Sequence, residues 1–266
     1  MMVKIQVQDI INKIEEFAPL SIKEDGDPTG FQLGDRKQDV HRVMTTLDVR
    51  PQVVQEAIDK NIDLILAHHP VMFHAAHNLD LSSPQNRMYQ DLLSHNIAVH
   101  SAHTNLDRAH GGMNDWLMEE LGLENVRFLD EDDDYSLGRM GDLKEPMDLV
   151  DFAKMVRDAY HVPNLRYVKS DLGQKVKTVA IIGGDAGKFY PEVLKAGADT
   201  FVTGDVYYHT AHDMMANGLN VVDPGHHIEA IFIKEMANLL NDWKKSNKWD
   251  LDIVQSEVDT EPYNFL

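Results

Sequence analysis

Ile62-Asp-Leu-Ile-Leu-Ala-His-His-Pro70 decides how this chain is read. Its apolar run is interrupted only by Asp63, the pattern of a strand buried on both faces. Pro70 lacks the N–H that further pairing needs, so the strand ends there. Two imidazoles, His68 and His69, therefore stand at the carboxyl end of a buried strand. In open α/β sheets that end is where ligands bind.

Outward from this stretch the chain alternates between strand and helix patterns. Apolar residues recur at helical spacing over Ile5–Phe17, and Lys23–Gly34 is turn-rich. Val43–Leu47 predicts a strand. A helix follows from Pro51, a residue suited to the first helical position, and runs through Lys60. Further helices are expected over Gln85–His95 and Asn114–Leu121, with a strand over Ile97–Ser101. Such alternation predicts an α/β sheet.

The run Asp130-Glu-Asp-Asp-Asp134 breaks the pattern. It lacks the glycine and the ligand spacing of a calcium loop, so it reads as a solvated connection. Beyond it, Pro146–Tyr160 predicts a helix and Leu165–Lys169 a strand. The second half then echoes the first. Val179–Ile182 takes the part of the Val43 strand, and Tyr190–Ala196 that of the helix after it. Asp199-Thr-Phe-Val-Thr203 matches Asp63-Leu-Ile-Leu-Ala67, and Asp213–Val222 matches Asp91–His100. In that register Asp107 falls opposite Glu229. The expected architecture is two similar α/β lobes, 1–128 and 135–266, joined by an acidic connection at 129–134. The lobes are related by an internal repeat and share one dinuclear metal site.

Composition narrows the chemistry. There is no cysteine, which excludes disulfides and thiolate metal sites. No apolar run approaches the length of a membrane span, and the N-terminus lacks a signal-peptide core, so a cytoplasmic protein with no membrane partner is expected. The net charge of −19, from 25 basic and 44 acidic residues, argues against a nucleic-acid surface. A bound cation would still attract a small anionic substrate locally.

Of the 14 histidines, 12 fall in two windows, His68–His110 and His209–His227, near expected strand ends. Side chains of adjacent strand residues point to opposite faces, so His68 and His69 chelate a single ion awkwardly. Where the chain turns they can instead reach two neighbouring ions. Two-metal hydrolytic sites hold their ions about 3.5–4 Å apart. On its own the doublet serves metal binding or structure equally well. Asp107 in Ser101-Ala-His-Thr-Asn-Leu-Asp107 can ligate, and His103 can ligate or orient it. In Asp223-Pro-Gly-His-His-Ile-Glu229, His226 and Glu229 share a face if a helix begins there, and His227 points elsewhere. A carboxylate such as Glu229 can bridge two ions. This nitrogen and oxygen set suits Zn, Mn, Fe or Co better than Mg or Ca.

Four segments in order carry a resemblance: Leu66-Ala-His-His-Pro70, Ser101–Asp107, Thr203-Gly-Asp-Val-Tyr-Tyr-His209 and Asp223–Glu229. Together they resemble the dinuclear metal-centre family of GTP cyclohydrolase 1 type 2 homologues, the Ngg-interacting-factor-like proteins. The similarity runs nearly end to end. It includes Gly30-Phe-Gln-Leu-Gly34, Gly111-Gly-Met-Asn-Asp115 and the tail Ser256-Glu-Val-Asp-Thr-Glu-Pro262. The resemblance implies two α/β lobes, a ring-like homohexamer and two divalent ions per chain. It implies metal ligands at His68, His69, Asp107, His226 and Glu229, with His226 rather than His227 taking the place after the glycine. Asp205 and His209 match a family motif and are assigned, with His103, to the surroundings of the metals or to substrate. Longer members carry an inserted domain, which makes this chain a short form.

Two functional classes follow. One is a metal-dependent hydrolase acting on a nucleotide or another phosphorylated small molecule, with His103 or His209 shuttling protons or binding substrate. No catalytic residue is assigned. The chain lacks a glycine-rich phosphate loop: Gly183-Gly-Asp-Ala-Gly187 is short, and Lys188 precedes Phe189 rather than Ser or Thr, so the segment reads as a strand-to-helix turn. The other class is non-enzymatic: metal delivery, or a scaffold or regulatory ring.

Overall fold

The computed structural model describes residues 2–130 and 133–266. The fold is α/β, and the chain divides into two compact units, each built on one large sheet. The first unit comprises Met1–Ala109 and Ala230–Thr260, and the second His110–Glu229 and Glu261–Leu266.

In the first unit the strand order is Asp252–Gln255, Arg42–Thr46, Leu64–Ala67, Ala98–Ser101 and Gly30–Leu33. Neighbours are parallel except for the last pair, which is antiparallel. Every residue of Leu64–Ala67 is buried, as its unbroken apolar run requires. One face packs under the helices Pro51–Asp59 and Pro84–Ser94, through Val53, Val54, Ala57, Met88, Tyr89 and Leu92. The helix Ile231–Asn247 lies along Arg42–Thr46 and Asp252–Gln255, where the Thr45 hydroxyl donates to the Ile233 carbonyl at 2.7 Å. A short ladder pairs Ile5–Gln6 with Asp39–Val40.

The second unit orders its strands Glu124–Phe128, Arg139–Met147, Val176–Asp185, Thr200–Gly204, Asn220–Asp223 and Arg166–Val168. The three strands Val176–Asp185, Thr200–Gly204 and Asn220–Asp223 are mutually parallel, and the outer pairings are antiparallel. Ile182, Val193, Phe201, Met214 and Val221 form the core of one face.

One detail recurs within each sheet. The Asp63 carboxylate accepts the backbone N–H groups of His41 and Arg42, at 2.7 and 2.9 Å. The Asp199 carboxylate accepts those of Lys177 and Thr178, at 2.9 and 2.8 Å. Each aspartate thus closes the start of a central parallel strand against the strand before it. Unpaired N–H groups at a strand start are satisfied by charge-assisted bonds.

Several sequence expectations differ from the fold. The turn-rich stretch Lys23–Gly34 also holds a strand, Gly30–Leu33, which pairs with Ala98–Ser101. Pro146 lies in a strand whose pairing runs to Met147 opposite Val176, and the helix begins only at Leu149. The divisions between units fall at Ala109/His110, Glu229/Ala230 and Thr260/Glu261, away from the acidic run. The reason is the return of the Ile231–Asn247 helix and the Asp252–Gln255 strand to the first sheet. Within the acidic run, Glu131 and Asp132 lie outside the described residues. The strands flanking it are antiparallel neighbours of one sheet. No helix among the described residues is long and apolar enough to cross a membrane.

Candidate metal centre

The first unit assembles its donors at the carboxyl ends of the parallel strands. After Ala67 the backbone bends, with the His68 N–H bonded to the Thr46 carbonyl and the His69 N–H to the Leu47 carbonyl. The bend brings both rings together, with centroids 5.0 Å apart, instead of sending them to opposite faces. His103 follows the next strand, and its ring lies 5.2 Å from that of His68 and 5.6 Å from that of His69. His68, His69 and His103 each offer a ring nitrogen within 4.8 Å of the others. Asp107 projects from the short helix Thr104–Arg108, and its Oδ1 lies 3.6 Å from His68 Nε2.

Each of these rings is held from behind. His68 is fully buried and its Nδ1 donates to the Ala102 carbonyl at 2.8 Å. His69 Nδ1 donates to Asp48 Oδ1 at 2.7 Å. His103 Nδ1 donates to Asp27 Oδ1 at 2.8 Å. Carbonyl and carboxylate oxygens only accept, so the Nδ1 atoms carry protons and Nε2 is left as the basic nitrogen. Burial pushes the Asp27 carboxyl up, but hydrogen bonds from His103 and Thr104 outweigh it and hold the group below the usual carboxylate range.

The second unit presents a smaller set. Asp223-Pro-Gly-His turns at Gly225, whose φ is 87°, and a 3-10 helix runs over His226–Ala230. Residues three apart eclipse in a 3-10 helix. His226 Nε2 accordingly comes to 3.2 Å from Glu229 Oε2, while Glu229 is only 3% exposed. His226 Nδ1 donates to Asp205 Oδ2 at 2.8 Å. Asp205 follows the Thr200–Gly204 strand in a left-handed conformation, φ 51°. Non-glycine residues seldom sit there, and such outliers concentrate at functional sites.

Glycines make room for this turn. A Cβ on Gly183 or Gly184 would lie 2.8 or 2.9 Å from Glu229 Oε1, and one on Gly204 would lie 2.7 Å from the Gly225 backbone. The Gly183 N–H is fixed by the Asn114 side-chain oxygen at 2.9 Å, and Asn114 also donates to the Leu137 carbonyl at 2.7 Å.

The structure therefore groups His68, His69, Asp107 and His103 within the first unit, and His226, Glu229 and Asp205 within the second. His209 sits on the helix Tyr208–Ala216, edge-on to Tyr207 and Tyr208 at 5.6 and 5.4 Å. Asp48 and Asp27, the carboxylates behind His69 and His103, carry no signal in the sequence. The Gly183-Gly184 pair, which reads as an ordinary turn in the sequence, lies in the strand Val176–Asp185 against Glu229. The donor chemistry fits a borderline divalent metal: imidazoles and carboxylates, each His held through Nδ1 as metal-ligating histidines are.

Residues 5–262 match the sequence model of a family described as Duf34/NIF3 (NGG1p interacting factor 3). A Streptococcus pneumoniae protein named GTP cyclohydrolase 1 type 2 homolog is 39% identical over 97% of this chain and 98% of its own length. A Bacillus subtilis protein of the same name is 31% identical over 97% of this chain and 98% of its own. That alignment spans 367 positions against the 266 residues here, so the relative carries sequence this chain lacks. Among solved structures, a Bacillus cereus protein related to NIF3 superposes with a TM-score of 0.93 at 27% identity, covering 99% of both chains.

Proposed function

This chain belongs to the Duf34/NIF3 family, and from that premise we propose that it is a divalent-metal protein hydrolysing a nucleotide or another phosphorylated small molecule. Two ions would be held by His68, His69, Asp107, His226 and Glu229, with His103, Asp205 and His209 around them. Bound ions would supply Lewis acidity toward the substrate's electrophilic centre. The observation carrying this reading is that His68, His69, His103 and His226 are all anchored through Nδ1 to an oxygen acceptor. In His68, His69 and His226 the anchor sets the tautomer that ligates through Nε2, and in His103 it leaves Nε2 facing the same group.

The chain's own residues have separate parts in this reading. Asp27 keeps the His103 Nδ1 proton in place, so His103 can take up or release a proton only at Nε2. Asp48 and Asp205 fix the ring planes of His69 and His226. The matching roles of Asp63 and Asp199 support an internal repeat that gave rise to both donor sets. Homohexameric assembly is proposed from the family resemblance and is checked by sedimentation of the purified protein.

The test has two stages. Elemental analysis after gentle purification should find divalent metal, and adding Zn, Mn or Fe should complete two ions per chain. Less than one ion per chain after reloading overturns the metal reading. Metal-loaded protein is then screened against GTP, dinucleotides and phosphoesters, with Asp107→Ala as the blank. Turnover above that blank supports hydrolysis. Two bound ions without turnover overturn it and leave metal delivery or a regulatory scaffold.

A further inference from the structure

The chain's terminal segment reaches back to the histidine doublet. After the strand Asp252–Gln255, the Ser256 N–H bonds to the Thr45 carbonyl at 2.9 Å and the Glu257 N–H to Glu56 Oε1 at 3.0 Å. Val258 packs on the core of the first unit. Thr260, half-buried, then donates its hydroxyl to Asp48 Oδ2 at 2.6 Å. The other oxygen of the same carboxylate, Oδ1, accepts from His69 Nδ1 at 2.7 Å. Asp48 and Thr260 are 212 residues apart in sequence, so folding alone brings them together.

The geometry points to Thr260 as a positioning residue for His69, acting through Asp48; this rests on the metal reading given above. A carboxylate with one oxygen unengaged can rotate about its Cβ–Cγ bond. It can also turn outward and bind a cation itself. The Thr260 hydroxyl occupies Oδ2, which leaves Oδ1 aimed at the imidazole. His69 is then held in the tautomer protonated on Nδ1, with Nε2 as its ligand atom. The tail segment Ser256–Thr260 thereby acquires a role beyond packing: it completes the hydrogen-bonded support of one ligand of the doublet. His68 has no such dependence, because its Nδ1 rests on a backbone carbonyl, that of Ala102. The two histidines therefore differ in how they are held: His69 by a carboxylate that Thr260 bonds in turn, His68 by a backbone carbonyl.

The experiment compares wild type with Thr260→Val, Thr260→Ser and Asp48→Asn in the full chain. Metal-stripped protein is titrated with Co(II), following the visible d–d absorption. Nitrogen NMR of metal-free protein reports the His69 tautomer independently of any metal. Thr260→Val keeps the side-chain volume and removes the donor. It should weaken one Co(II) site by about tenfold, the lower end of the 10- to 100-fold loss for an outer-shell partner. It should also lower the Nδ1–H fraction of His69. Thr260→Ser should restore both, and Asp48→Asn should exceed Thr260→Val. Wild-type Co(II) affinity together with an unchanged His69 tautomer in Thr260→Val overturns the inference. A tautomer change without an affinity change also overturns it, since the hydroxyl would then not support ligation. Wild type that binds no Co(II) overturns the metal reading, and this inference with it.

Discussion

His226 Nδ1 and Asp205 Oδ2 lie 2.8 Å apart, and Asp205 holds that position from a left-handed backbone, φ 51°. The strained residue is thus the one that orients a proposed ligand. Asparagine tolerates this backbone at least as well as aspartate, so Asp205→Asn separates charge from strain. It should leave thermal stability within about 1 kcal/mol of wild type, as for a substitution away from packing. Metal affinity should fall by about 10- to 100-fold, because the imidazole loses its anionic partner. Isothermal titration with Zn(II) checks it, and unchanged affinity would remove Asp205 from the support of His226.

Gly184 and Gly197 form a matched pair for a second prediction. Both have positive φ, 64° and 85°, so alanine strains the backbone at either. That strain costs on the order of 1 kcal/mol. They differ in surroundings: a Cβ at 184 would meet Glu229 Oε1 at 2.9 Å and His226 Nε2 at 3.3 Å, and one at 197 would meet nothing within 4 Å. Gly184→Ala should therefore cost roughly 1–3 kcal/mol more than Gly197→Ala, through overpacking. It alone should impair metal binding. Equal denaturation midpoints and equal metal content for the two variants would show that the glycine does not shape the Glu229 pocket.

His100 gives a pH dependence. It is fully buried on the strand Ala98–Ser101, and neither ring nitrogen has a hydrogen-bond partner among the described residues. Burial, with a smaller contribution from Arg36, pushes its pKa down from 6.5 to about 3. The folded chain therefore holds this imidazole neutral while the unfolded chain protonates it below pH 6.5. Between those two values the unfolded state binds more protons, so stability falls as the pH drops from 6.5 toward 3. The full loss is on the order of 5 kcal/mol. Above pH 6.5 the group has no effect. His100→Leu should remove this component, so the difference in urea midpoint between variant and wild type should shift in the variant's favour as the pH is lowered from 6.5 toward 4.5. A constant gap between pH 8 and pH 4.5 would refute the assignment.

The Leu64–Ala67 strand and the doublet after it were legible because a continuous apolar run and a proline are local signals. The His226/Glu229 pairing was legible from a three-residue spacing. Asp63 and Asp199 were legible only as matched letters, and their shared task appears in hydrogen bonds to the neighbouring strand. Asp48, Asp27 and Thr260 carry no local signal, because each meets its histidine or its carboxylate through tertiary folding. The second crossing of the chain between units was hidden for the same reason. The Ile231–Asn247 helix declares its apolar face through Phe232, Met236, Ala237 and Leu240, but not the sheet that it covers. In the sequence the segment Gly111–Asp115 is a motif without a mechanism, and the contacts of Asn114 supply one.

Asn114 is fully buried at the start of the helix Met113–Glu120 and works with both ends of its amide. Its oxygen accepts from the Gly183 N–H and its nitrogen donates to the Leu137 carbonyl, at 2.9 and 2.7 Å. Gly183 in turn sits against the Glu229 carboxylate, where a Cβ would come within 2.8 Å of Oε1. Asn114 therefore fixes the backbone that bounds a proposed metal ligand. Asn114→Ala strands a buried donor and a buried acceptor, each costing about 1–3 kcal/mol. Asn114→Asp keeps an acceptor for Gly183 but turns a second oxygen toward the Leu137 carbonyl, and it buries a charge. Aspartate should therefore be at least as destabilising as alanine at neutral pH and recover part of the difference when protonated at pH 4. Urea unfolding at both pH values tests this, and the Zn(II) affinity of each variant tests the link to Glu229. If aspartate were the milder change at pH 7, the amide nitrogen's bond to Leu137 would not be holding the segment. Gly183 would then owe its position to packing against Leu117 and Glu229.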